Sequence, residues 1–350
     1  KSNELALRSL ILAEDDPTLS FRLGEAAYNI SPTSFSRQAI MNAYCQPMFY
    51  SRIHKHADLA KEANFTPDNK SILSWSDDNT VVLSDLNGNQ VFKIYKKGVF
   101  IKNALPSHFE QYILVIFKGK DYIELYDYSG NLKKTFRGHL EKINHMESSI
   151  DQPLFVTSSD DKTARLWNFD GGLESVFLGH QGPVLNARIS PDNNLILTSS
   201  TDKTCRLFDR KGKELKIIKH STESMTFAKF SQDGKYIITS DLGKTKKILI
   251  WDLEGKLLKT LEIQSGVVKY LMFSRKGNCF LSRSSDQSAI LWNTNGEKLM
   301  EMGQESSPLS WIDFSPDGNT IITVRKDNKI RLWNQQGQLL HIIRPNDFTY

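Results

Sequence analysis

The chain has 350 residues, a net charge of +5, 39% apolar residues and 24% charged residues. At roughly 150 residues per domain the length suggests about two domains; the apolar content excludes a disordered chain, and a charge this mild argues against dedicated nucleic-acid binding. Three widely spaced cysteines, Cys45, Cys205 and Cys279, exclude a disulfide scaffold or CxxC metal site and fit a reducing, cytoplasmic setting, while the longest apolar run, residues 112–117, is too short for a membrane-spanning helix.

The chain opens on Lys1-Ser2-Asn3-Glu4, with neither a Met nor an apolar signal core, so it reads as a piece of something longer. Residues 1–48 carry three short helical signals. Residues 4–13 are rich in Leu and Ala. Asp16-Pro17 then supplies a cap and a first helical proline, followed by the apolar face Leu19, Leu23, Ala26 and Ala27. Ser31-Pro32 repeats the signal ahead of Phe35, Ala39, Ile40 and Ala43, and Pro47 ends it.

From residue 49 to residue 350 the chain is a repeat. Leu-Trp-Asn or a variant of it is centred on positions 84, 126, 167, 208, 251, 292 and 333, a period of 41 to 43 residues. Each copy runs into Asp or Asn, two residues and Gly, from Asp85–Gly88 to Asn334–Gly337. The Asp or Asn side chain caps the turn and Gly takes positive φ, which makes a hairpin. A second turn of the Ser-Pro-Asp-Gly type recurs at 66–69, 190–193, 231–234, 274–277 and 315–318. Units two and three lack it, and irregular loops are expected there. Between turns lie short β-rich runs, in the last unit 309–314, 320–324, 330–333 and 339–343.

These markers resemble the WD-repeat β-propeller family. The resemblance implies an all-β fold: seven four-stranded antiparallel blades around a channel, preceded here by the helical segment. We expect blade boundaries at the Asp/Asn-x-x-Gly turns. We also expect ring closure by residues 49–53 pairing directly with 330–333, with 339–343 lying outside as an extra strand or leading away from the ring. The family further implies a hydrogen-bonded tetrad in each blade: in blade three His139, Ser159, Asp161 and Trp167. Blade four offers His180, Ser200 and Asp202, but Phe208 cannot donate. Blade five offers His220 and Trp251; blade six Ser284, Asp286 and Trp292; blade seven Asp327 and Trp333. Blade two matches almost nowhere, so it should be the most distorted and lack a tetrad.

Residues 14–28, Ser31-Pro32-Thr33, residues 39–44 and Phe49-Tyr50 are similar to the helical segment entering the C-terminal propeller of bacterial signal-transducing ATPases of the STAND class. That resemblance implies nucleotide-binding and effector domains upstream in a parent chain. A helical cap docked on the propeller is the alternative.

The residues themselves offer no chemistry beyond this. Gly243-Lys244-Thr245 lacks the preceding glycine of a phosphate-binding loop, and Ile238 stands in its place. His139, His180 and His220 recur once per blade and read as structural rather than as metal ligands. No catalytic, metal or cofactor site is therefore expected, nor a membrane partner. By analogy with propellers, a protein or peptide should bind on one rim. Its loops before the first strands present Asp58, Phe100, Glu141, Lys142, Gln181, Thr222, Glu223 and Ser306. Its turns between second and third strands present Asp77, Lys120, Asp160, Thr201, Ser285 and Lys326. The functional readings are a sensor module of a larger signalling ATPase and a free-standing scaffold.

Overall fold

The computed structural model describes residues 7, 56–58, 60–219, 225–241, 247–263, 266, 268–274, 277–286, 288–302, 309–315, 318–325, 327 and 329–343. Strands β1 (Ala60–Phe65) to β28 (Leu339–Ile343) form seven four-stranded antiparallel sheets, each built from four consecutive strands. The chain is an all-β, seven-bladed, WD-repeat-type propeller. The three expected helices fall outside the described residues, Leu7 apart.

The Asp/Asn-x-x-Gly turns are hairpins, but they do not divide the blades. In blade one the turn after β3 (Thr80–Asp85) leads to β4 (Gln90–Tyr95) of the same sheet, with Gly88 N donating to Asp85 O over 3.0 Å. The expected boundaries are thus displaced by one strand. Each blade ends after its outer strand, because the hairpin ties third and fourth strands into one ladder. Gly130, at φ 82°, shows why this turn position is glycine: a Cβ there would come within 3.2 Å of Phe92 in the neighbouring blade.

Inner strands are buried on both faces, as in β10 (Leu154–Ser159), because each sheet is sandwiched between its neighbours. Blade three packs Leu154, Val156, Leu166 and Phe177 against Val184, Ala187, Ile196 and Phe208 of blade four. Outer strands such as β12 (Leu173–Phe177) are half exposed. Every first strand carries a β-bulge between its first and third residues. In β1 it lies at Ala60/Glu62, in β21 (Val268–Phe273) at Val268/Tyr270 and in β25 (Leu309–Phe314) at Leu309/Trp311. Equivalent side chains therefore reach the channel at one level around the ring.

Two further expectations are corrected. Blade two is regular: β5 (Ile101–Pro106), β6 (Tyr112–Phe117), β7 (Ile123–Asp127) and β8 (Leu132–Phe136) pair with the same bulge positions as other blades. The apolar run of β6 supplies its order, since Ile113 to Phe117 are fully buried. Its loop after β5 keeps the closing bond from Ser107 N to Tyr112 O, 2.8 Å. Ring closure is also corrected. β28 pairs directly with β27 (Ile330–Asn334), Ile330 opposite Ile343 and Trp333 opposite Leu339, so the position expected for residues 49–53 is taken. The Asn334–Gly337 hairpin explains the choice, because it delivers the next residues to β27 at minimal loop cost. Residues 49–53 lie outside the described residues.

Candidate functional site

In blade three, β9 (Ile143–Ser148), β10 and β11 (Ala164–Asn168) hold a hydrogen-bonded chain. Asp161 Oδ2 accepts from His139 Nδ1 over 2.7 Å, which leaves Nε2 to accept from the Thr157 hydroxyl, also at 2.7 Å. Trp167 Nε1 donates to that same hydroxyl at 2.9 Å. The backbone N–H of Leu140 and both donors of Thr163 complete the Asp161 carboxylate. Burial alone would raise the Asp161 pKa. The bonds from His139 and Thr163 and the field of His139 outweigh it, holding the carboxyl well below the usual range.

The hydroxyl in this chain belongs to Thr157, not to the expected Ser159. The cause is strand geometry. Trp167 lies opposite Phe155, on which its ring stacks with centroids 6.3 Å apart, so its diagonal same-face neighbour is Thr157. Ser159 shares that face but sits one step nearer the turn. It donates to Glu141 O and accepts from Asp161 N, fixing the loop instead.

The same two-residue displacement recurs. His180 engages Asp202 and Thr198, both at 2.8 Å, while Ser200 bonds the loop; in blade six Trp292 donates to Ser282 rather than Ser284. In blades five and seven Trp251 and Trp333 donate to Thr239 and Thr323, and Asp327 pairs with Arg331. His220 lies outside the described residues. Blade one holds a network that the sequence did not reveal, His56 with Ser74 and Asp78, because Ser84 occupies its Trp position. In blade two Glu124, at the register position of Arg165 in blade three, accepts from both Tyr126 and Lys96. Burial lowers the His180 pKa against the pull of Asp202, whose own carboxyl its bonds hold at about 2 despite burial.

The loops before first strands and the turns between second and third strands meet on one rim. Asp160 N donates to Lys142 O, Thr201 N to Pro183 O and Lys118 N to Phe100 O. Several of the expected contact residues have structural duties there. Asp160 accepts from Asn144 and pairs with Lys142, Asp77 pairs with Lys61, and Gln181 N donates to Asp202. Phe100, Glu141 and Lys120 are exposed, as are Asp58 and Ser285. Thr222, Glu223, Ser306 and Lys326 lie outside the described residues, as do residues 243–245.

Among the described residues no three His, Cys, Asp or Glu side chains gather as a metal-binding group, and no helix is long and apolar enough to cross a membrane. Burial raises the pKa of the Cys205 and Cys279 thiols, so neither is poised as a nucleophile. The channel holds residues to which sequence reasoning gave no role, Tyr270 and Trp311 among them. Their only signal was their position: third residue of a first strand, just past the bulge.

A comparison with curated proteins found no match. A family model does match: the one described as the IFT122 first beta-propeller covers residues 107–347, from the loop after β5 to just past β28. That span is most of the chain, the last five blades whole and three of the four strands of blade two, and the chain belongs to this family of β-propellers.

Proposed function

We propose that the chain is a non-catalytic recognition module that binds a protein or peptide on the rim formed by the first-strand loops and the second-to-third-strand turns. The observation that carries this reading is the division of labour among polar residues. His56, His139 and His180 of blades one, three and four, with the carboxylates and hydroxyls around them, are spent inside the blades. The side chains left outward are a mixed polar set, with Phe100 as an exposed aromatic anchor.

We place this module in a larger chain, as the C-terminal sensor of a cytoplasmic STAND-type signalling ATPase. The similarity of residues 14–50 to the segment entering such propellers supports this. A scaffold that assembles other proteins is the second reading. It is favoured by the family's description as a first β-propeller, wording that implies a chain with more than one. A phosphate-binding loop upstream in the parent reading frame selects the sensor; further propellers select the scaffold.

Rim binding itself is tested by crosslinking capture in the source cells, comparing the native chain with a Phe100→Asp, Glu141→Lys, Gln181→Glu variant. Loss of a specific captured protein at unchanged melting temperature supports the rim. Full capture by the variant contradicts it.

A further inference from the structure

The channel wall between blades six, seven and one differs from the rest. Glu62 of β1, Tyr270 of β21 and Trp311 of β25 occupy the same register position, the third residue just past the bulge, in three blades that are neighbours around the ring. The fold therefore presents them at one level. Asp313, two residues beyond Trp311, faces the same way one step deeper. All four line one cavity of about 460 Å³, which shares Ala63, Asn64, Met272, Trp311 and Asp313 with a larger one of about 780 Å³. Trp311 is 52% exposed and Tyr270 38%, although both sit on innermost strands. A half-open Trp beside a Tyr inside a channel is an unusual use of apolar surface, since aromatic rings are normally buried.

The charges around these rings favour a cation. Lys61 also lines the cavity, with its ammonium engaged by Asp77 at the rim, and Glu62 and Asp313 set two carboxylates on this wall. Burial raises the Tyr270 pKa first; the Asp313 carboxylate adds to it, the Arg188 charge from across the channel opposes it, and Glu62 adds to it again, so two carboxylates act on this hydroxyl against one guanidinium. The opposite wall reverses sign. There Arg188 pairs with Glu147, and Lys229 makes no ion pair or hydrogen bond through its ammonium among the described residues. Burial and the Arg188 charge bring the Lys229 pKa down to about 8. A cation entering the channel therefore meets the Lys229 ammonium on blade five and the carboxylates of Glu62 and Asp313 on blades one and seven, and is drawn to the latter.

We propose that this wall is a binding site for an organic cation, the guanidinium or ammonium end of an arginine or lysine side chain on a peptide, held over the Trp311 ring with Tyr270 beside it and Glu62 and Asp313 supplying counter-charge. Aromatic faces attract such cations through their quadrupole, and partial desolvation in a channel strengthens the attraction. The cavity volume suits one long side chain with its adjoining backbone. The site is separate from the rim, and its test does not depend on rim binding.

The experiment is calorimetric titration of the full chain with three blocked tripeptides, acetyl-Ala-Arg-Ala-amide and its Lys and Gln counterparts. Saturable binding of the Arg or Lys peptide with a Kd in the millimolar range is expected, at least about fivefold tighter than the Gln peptide. A preference for Arg over Lys assigns ring stacking of a guanidinium; equal binding assigns a simple cation. Trp311→Ala and Asp313→Asn should each weaken binding about threefold or more, and Trp311→Phe should retain most of it. Trp311 is half exposed, so its truncation leaves no core cavity, and unchanged circular-dichroism melts of the variants verify the fold. Equal affinity for the Arg and Gln peptides, no saturable binding up to about 10 mM, or unaltered binding in a folded Trp311→Ala variant overturns the proposal.

Discussion

The seam between blades three and four and the seam between blades seven and one join the same kind of sheet, yet they are packed differently. In the first, Phe177 and Phe208 meet with centroids 5.3 Å apart inside a cluster of buried side chains. In the second, Ile322, Ile330 and Leu332 of blade seven are only partly buried, and Phe65 of blade one is 62% exposed. The six clusters of buried side chains each join blades adjacent in sequence, and none among the described residues joins seven to one. Two physical reasons meet here. Six seams form between segments joined by short loops, whereas the seventh must bring distant ends together against chain entropy. In addition, the repeat's Trp packs toward the preceding blade, as Trp167 and Trp292 do, but blade one has Ser84 there. The smallest side chain of the series faces the seam that most needs a large one.

The comparison can be broken most severely by removing β28. Deleting residues 339–350 strips the ladder from β27 and should lower stability beyond the ~4–5 kcal/mol that bounds most point changes. Denaturant unfolding measures it. A larger loss on deleting residues 1–54 instead would return ring closure to residues 49–53.

Single side chains come next. Phe208→Ala in the tight seam should cost about 3–5 kcal/mol, because a fully buried ring leaves a cavity. Phe65→Ala at the loose seam should stay within about 0.5 kcal/mol. Similar unfolding midpoints for the two variants would erase the difference between the seams.

Asp161→Ala should cost on the order of 3 kcal/mol, since its side chain is 4% exposed and the change strands His139. Asp160→Ala, with a side chain 20% exposed on the rim, should stay near 0.5 kcal/mol. Equal melting shifts for the two would contradict the hydrogen-bond assignment.

The smallest effect is on pH dependence. The folded pKa of Asp202 is depressed to about 2, so its contribution is complete above the unfolded value near 3.8 and fades as pH falls towards 2. Asp202→Asn should therefore flatten the stability profile between about pH 4 and about pH 2 and leave its slope near neutrality unaltered. An unchanged acid limb in an acid-unfolding series would contradict that.

Much of this was legible in the sequence, for a reason. Turn residues such as Asp85, Gly88 and Pro191 are fixed by backbone chemistry, so they recur and reveal period, blade number and strand positions. The hydroxyl was misread by two residues in blades three, four and six because, as with Thr157 and Ser159, both positions carry hydroxyls on one strand face. Only the cross-strand position of Trp167 distinguishes them. The His56 network stayed hidden because its Trp is missing. Blade two lost its motif and kept its fold, since Ile113 to Phe117 fill the core without it. Tyr270 and Trp311 carried no signal beyond their place in the first strand, because first-strand residues facing a channel are not constrained by the repeat.

Native-state hydrogen exchange resolved by strand tests the central claim, that the ring is held by six tight seams and one loose one. Amides of β27, β28 and β1 should exchange through an opening several kcal/mol below global unfolding, while those of β10 and of the blade-four strand Leu195–Ser200 exchange only by global unfolding. Uniform protection across all seven blades, or earlier opening between blades three and four, would contradict it.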